Sequence, residues 1–181
     1  VHPIDGAISL NDLATDSSGH AYVSDSMNSR VVRVDLATGE NSTYISTLPS
    51  SPNGVLIQGD RLYIASWGVM SDRPEERAEW ITKTAGDLYW VSLKDSKKSR
   101  HIIVPELGNL DGVEIDQKGN IYVSDWESGK LYKISSGAKM VVDLGQYGQG
   151  LADIGLNLLT GELVLPVMLS SEVLFFTPSP E

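Results

Sequence analysis

Apolar and polar residues alternate with a period of two along most of the chain, in short runs broken by glycine-bearing turns. Asn11-Asp12-Leu13-Ala14-Thr15-Asp16, Ser18-Gly19 and His20-Ala21-Tyr22-Val23-Ser24-Asp25 predict a strand, a tight turn and a second strand. The unit returns at Asn53–Ile57 with Arg61–Ser66, and at Asp111–Asp116 with Asn120–Asp125. A weaker copy runs from Ala152–Asn157 to Glu162–Pro166. Each copy continues into a third strand, at Val31–Asp35, Asp87–Ser92, Lys130–Ile134 and Glu172–Phe176. A fourth strand is expected in three copies, near Ser42–Thr47, Arg100–Val104 and Lys139–Leu144. No stretch holds a helical period; Arg73–Trp80 reads as one short polar turn.

Four short antiparallel strands per repeat define an all-β fold, the β-propeller of four-stranded blades. The blades are expected near 11–47, 53–104, 111–144 and 152–177, within a single domain 1–181. Asn53 lies 53 − 11 = 42 residues after Asn11, and Asp111 lies 111 − 53 = 58 after Asn53. The difference of 16 falls in Trp67–Gly86, between the second and third strands of its blade. The last copy stops after its third strand. Open sheet edges are an aggregation hazard. The chain is therefore expected to be about four blades of a larger propeller, six-bladed when complete, needing missing blades or a second chain to close the ring. A four-bladed ring is the alternative.

Composition narrows the partners. With 14 basic and 24 acidic residues the net charge is −10, which argues against a nucleic-acid backbone or an anionic membrane. A small-molecule ligand or substrate is expected. The chain has no cysteine, so disulfides, thiolate metal sites and a cysteine nucleophile are excluded. That absence fits a periplasmic or extracellular compartment, with the cytoplasm as the alternative. No Gly-x-Ser-x-Gly elbow supports a serine triad.

Strand direction places the starts of the inner strands at one end of the propeller, the top, with the glycine turns at the bottom. Leu10-Asn11-Asp12, Pro52-Asn53-Gly54 and Leu110-Asp111-Gly112, in this order and at blade spacing, resemble the senescence marker protein/gluconolactonase (regucalcin-like) family. They are also similar to the calcium-dependent paraoxonases. The resemblance covers essentially the whole chain and implies a six-bladed propeller with a divalent cation at the channel mouth. The positions matching the family's ligand motifs are Asn11, Asn53 and Asp111. The family's first-blade glutamate has no counterpart here. The fourth copy, Gly150-Leu151-Ala152-Asp153-Ile154, departs from the pattern of the family's lactonases.

Two Asn and one Asp supply the mixed oxygen donors that Ca²⁺ prefers, with Zn²⁺, Mg²⁺ and Mn²⁺ as alternatives. The expected activity is metal-assisted hydrolysis of a lactone or related ester, with Asp12 or Asp153 as base for the attacking water. A propeller that binds a ligand or protein without catalysis is the alternative. Trp67 and Trp126 follow equivalent second strands and are candidates to line a substrate mouth or to wedge between blades. The Trp67–Gly86 insertion is expected to fold over the same mouth, where Arg73 and Arg77 would attract an anionic substrate.

Overall fold

The computed structural model describes residues 1–46, 48–95, 97–136 and 141–178. Four antiparallel sheets follow one another along the chain. The first contains β1 (Leu10–Thr15), β2 (His20–Asp25), β3 (Arg30–Asp35) and β4 (Asn41–Ile45). The second contains β5 (Ser51–Gln58), β6 (Arg61–Met70), β7 (Thr82–Ser92) and β8 (Arg100–Gly108), with α1 (Pro74–Ala78) between β6 and β7. The third contains β9 (Leu110–Ile115), β10 (Ile121–Asp125), β11 (Lys130–Ile134) and β12 (Val141–Gln146). The fourth has three strands among the described residues: β13 (Gly155–Leu156), β14 (Leu163–Val167) and β15 (Glu172–Phe176). In every sheet the strands pair in chain order, as an up-and-down propeller blade requires. Thr47, Lys139 and Met140, at the expected ends of two outer strands, lie outside the described residues.

Local chemistry explains the hairpins. Asp16 Oδ1 accepts from the Ser18 and His20 N–H groups at 2.8 and 2.9 Å. Asp116 Oδ1 does the same for Lys118 and Asn120 at 2.9 and 2.8 Å. Each side chain closes its own turn. Gly19 and Gly119, at φ +87° and +82°, take the left-handed conformation that these turns need.

The blades pack face to face, and the core lies at their junctions. Ala14, Tyr22 and Val31 of blade 1 meet Val55, Leu62, Ile64 and Tyr89 of blade 2. Tyr63, Ala65 and Leu88 meet Val113, Ile121 and Val123 of blade 3. Tyr122 and Leu131 meet Ile154, Leu163 and Leu165 of blade 4. The inner strands follow suit, β1 packing on β5, β5 on β9 and β9 on β13. Among the described residues no comparable contact joins β13 to β1, so the four blades form an open arc.

The insertion in blade 2 is an extension of the sheet. Gly68, Val69 and Met70 pair with Ala85, Thr84 and Thr82, so β6 and β7 run on beyond the blade before α1 turns the chain. A loose loop would leave these backbone groups to water; the paired hairpin satisfies them internally.

Candidate functional site

Pairing register fixes which residues are equivalent between copies. Leu13 pairs with Val23, Val55 with Ile64 and Val113 with Val123. Asn11, Asn53 and Asp111 thereby share one position, and Asp12, Gly54 and Gly112 the next. In blade 4 the Leu151–Val167 bridge and the Gly155–Val164 pair place Ala152 and Asp153 at these two positions. The first three copies break register there, and such bulges re-aim side chains. The Asp12 N–H is capped by Ser24 Oγ at 3.0 Å, and the Gly112 N–H by Ser124 Oγ at 2.8 Å.

The second position touches the next blade. A Cβ on Gly54 would lie 2.0 Å from the Asp111 carbonyl oxygen. One on Gly112 would lie 2.4 Å from the Ile154 nitrogen and 2.7 Å from Asp153 Oδ1. Where the first copy carries Asp12, the carboxylate itself spans the junction. Its Oδ2 accepts from the Val55 N–H at 2.7 Å and its Oδ1 from the Leu13 N–H at 2.6 Å.

The first position supplies the oxygen donors. Asn53 is buried, and its Nδ2 donates to the Leu110 carbonyl at 3.0 Å. Its Oδ1 is buried with no partner. Asp111 stands beside that carbonyl, and burial pushes its carboxyl up to about 7, with Asp153 and Asp12 adding repulsion. Burial, with Asp12 beside it, raises Asp153 to about 6. Burial also raises Asp12, against the two backbone N–H groups that hold it down. Asn11, at the same position on β1, is exposed.

A fourth carboxylate, Glu114, was not among the sequence-based candidates. Burial, then Asp153, raises it to about 7. Its pairing partner Tyr122 aligns it with Ala14, Leu56 and Gly155 of the other copies. An acid at a position otherwise held by small or apolar residues was the available signal.

Hard oxygen donors of this kind suit a divalent cation, and the orphaned Asn53 Oδ1 is a donor still to be satisfied. No three of the described His, Asp or Glu side chains are arranged to hold an ion by themselves. A cation here would be held by mixed amide and carboxylate oxygens, with Asn53 and Asp111 at its centre.

The insertion caps the same end. Trp67 is buried, donates through Nε1 to the Trp80 carbonyl at 2.9 Å, and lies 5.8 Å, centroid to centroid, from both Trp80 and Trp126. Trp67 thus packs against both of the other rings. Asn109 Nδ2 donates to the Trp67 carbonyl at 2.8 Å, tying the hairpin to blade 3. Arg77 donates to the Met27 carbonyl, tying α1 to blade 1. Arg73 pairs with Glu76. Both arginines are therefore engaged within the protein.

No family model matches the sequence, and no curated protein matches it. Solved structures do. A structural-genomics protein assigned as a gluconolactonase is 14% identical, with a TM-score of 0.69, over 98% of this chain and 66% of that one. A nidogen/laminin complex gives 17% identity and a TM-score of 0.69 over 88% of this chain and 57% of that one. A catalytically inactive virginiamycin B lyase from Staphylococcus aureus, with quinupristin, gives 11% and 0.64 over 99% and 59%. This chain has the propeller fold of these proteins and spans 57 to 66% of their lengths.

Proposed function

We propose that the top of this propeller binds a divalent cation, Ca²⁺ foremost, through Asn53 and Asp111, with Asp153 and Asp12 lending charge. The observation that carries this reading is the buried, unpartnered Oδ1 of Asn53, whose Nδ2 bonds the Leu110 carbonyl next to Asp111, a residue whose carboxyl burial and neighbouring acids hold near 7. A cation would coordinate the unsatisfied amide oxygen and offset the repulsion together. When bound it would supply Lewis-acid polarisation of a lactone or ester carbonyl. The gluconolactonase among the structural neighbours supports that substrate class. The ring would be completed by further blades or a second chain, in a periplasmic or extracellular setting.

Calorimetry with Ca²⁺ tests the cation: saturable binding that Asp111→Asn abolishes supports it, and identical isotherms refute it. A lactone panel with and without chelator tests the chemistry. The second reading is a binding propeller without catalysis. It is favoured by the engagement of Asp12, whose two oxygens accept from backbone N–H groups and leave it poorly placed as a base. Cation binding with no lactone turnover would select it.

A further inference from the structure

The turns at the bottom of the propeller repeat one design, and blade 4 departs from it. Pairing register makes Asp16, Asp116 and Asn157 equivalent. Each closes its own turn, its side-chain oxygen accepting from backbone N–H groups. Past that residue blade 1 carries Ser17-Ser18 and blade 3 carries Gln117-Lys118, the kind of polar tip that turns favour. Blade 4 carries Leu158-Leu159 instead, 54% and 94% exposed. The two leucines border a cleft of about 310 Å³ between the turns of blades 3 and 4. Gln117 Nε2 donates to the Leu158 carbonyl at 3.0 Å and ties the two turns together. The cleft therefore lies at an internal junction of the arc.

The blade 3 wall of the cleft is polar. Asp116 Oδ2 accepts from Asn120 Nδ2 at 2.8 Å and from the Tyr122 hydroxyl at 3.3 Å. These three side chains serve one another, as Asp16, His20 and Tyr22 do in blade 1. The cations set blade 3 apart. Lys118 stands exposed at the rim, and Lys133 lines the wall at 6% exposure. Its blade 1 equivalent, Arg33, is exposed. From blade 4, Leu156, Leu158 and Leu159 supply an apolar wall. We propose that this cleft binds a small amphipathic carboxylate, its acid group at Lys118 and Lys133 and its hydrocarbon chain along the three leucines. The volume falls at the small end of ligand pockets, about 300–1,000 Å³. Among the described lining residues two lysines face one carboxylate, Asp116, and both of its oxygens already accept hydrogen bonds. The cleft is thus locally cationic in a chain of net charge −10. The acid would gain charge-assisted hydrogen bonds, and its chain would cover leucine surface that otherwise meets water.

The test is calorimetry of the whole chain with octanoate, in chelator so that no cation at the top can hold the acid. Saturable binding is expected, with octanol at least about tenfold weaker. Lys133→Met and Leu159→Asp should each weaken octanoate at least about tenfold. Leu159 is almost fully exposed, so its substitution should leave the blade folded. Lys133 is buried, so Lys118→Met at the rim is the second charge variant and reads the same loss if Lys133→Met fails to fold. Leu169→Asp, an equally exposed leucine in the turn after β14, is the control and should bind as wild type does. Absence of saturation overturns the site. Equal binding of octanol and octanoate overturns the anion. Equal weakening by Leu169→Asp and Leu159→Asp shows adsorption to exposed leucine at large and overturns the cleft.

Discussion

Asn53 donates its side-chain N–H to the Leu110 carbonyl at 3.0 Å, across the junction between blades 2 and 3, and its own carbonyl oxygen is buried without a partner. One half of the amide is structural and the other half is available to a ligand. Asn53→Ala should therefore cost stability and cation binding together. Loss of the donor to a buried carbonyl is worth about 1–3 kcal/mol, read as a lower urea midpoint. Unchanged stability with unchanged Ca²⁺ affinity would show that neither half matters.

Burial, with charge crowding added to it, gives the metal-free protein a characteristic pH dependence. Asp111 and Glu114 are raised to about 7 and Asp153 to about 6 in the folded chain, above their ordinary values of 3.8, 4.5 and 3.8. The folded state holds these protons more tightly than the unfolded state, so their contribution is fully present below about pH 4. It is lost as pH rises through 6 and 7. Melting temperature in chelator should fall across that window, and Asp111→Asn should flatten the fall. Each 1 kcal/mol regained corresponds to about 2–4 °C in a chain of this size. Saturating Ca²⁺ should restore the wild type and leave the variant unmoved. A flat wild-type profile in chelator would show that burial and mutual repulsion do not raise these carboxyls.

Close approach of the inner strands predicts sharp intolerance at two glycines. Gly54→Ala and Gly112→Ala place a Cβ 2.0 Å and 2.4 Å from backbone atoms of the next blade. Neither neighbour is a flexible side chain, so whole strands must shift, at about 1–3 kcal/mol. Gly155→Ala is the control, since its Cβ meets nothing within 4 Å. Equal midpoints for all three variants in denaturant would contradict the close packing of blades at the mouth.

The propeller was legible because the repeat states it several times over: alternation, turn glycines and the Tyr22/Tyr122 register recur at fixed offsets. The site was legible only in part. Asn53 and Asp111 stand out beside their glycines, but the bulge that re-aims them is a pairing irregularity with no residue signature of its own. Glu114 is not legible as a site residue, because an isolated strand does not show which of its faces meets the next blade. The paired form of the insertion is not legible, because Gly68–Met70 and Thr82–Ala85 lack the alternation of a buried strand and their pairing extends beyond the blade.

The capping hairpin is predicted to act on stability before it acts on any ligand. Trp67 is buried, and its Nε1–H has the Trp80 carbonyl as acceptor. Replacing 71–81 with a tight turn would strand that donor at about 1–3 kcal/mol and remove an aromatic contact worth about 0.5–1.5 kcal/mol. The expected result is a melting temperature lower by several degrees. Arg77→Ala is the milder probe, because it frees α1 from the Met27 carbonyl of blade 1 while leaving the Gly68–Ala85 pairing intact. It should make amides 74–81 exchange faster with solvent hydrogen, with little change in melting temperature. If the hairpin were a mobile lid, the deletion would alter ligand affinity and spare stability. If it is part of the blade packing, as its ties to blades 1 and 3 indicate, stability falls first and affinity changes only as the mouth loosens.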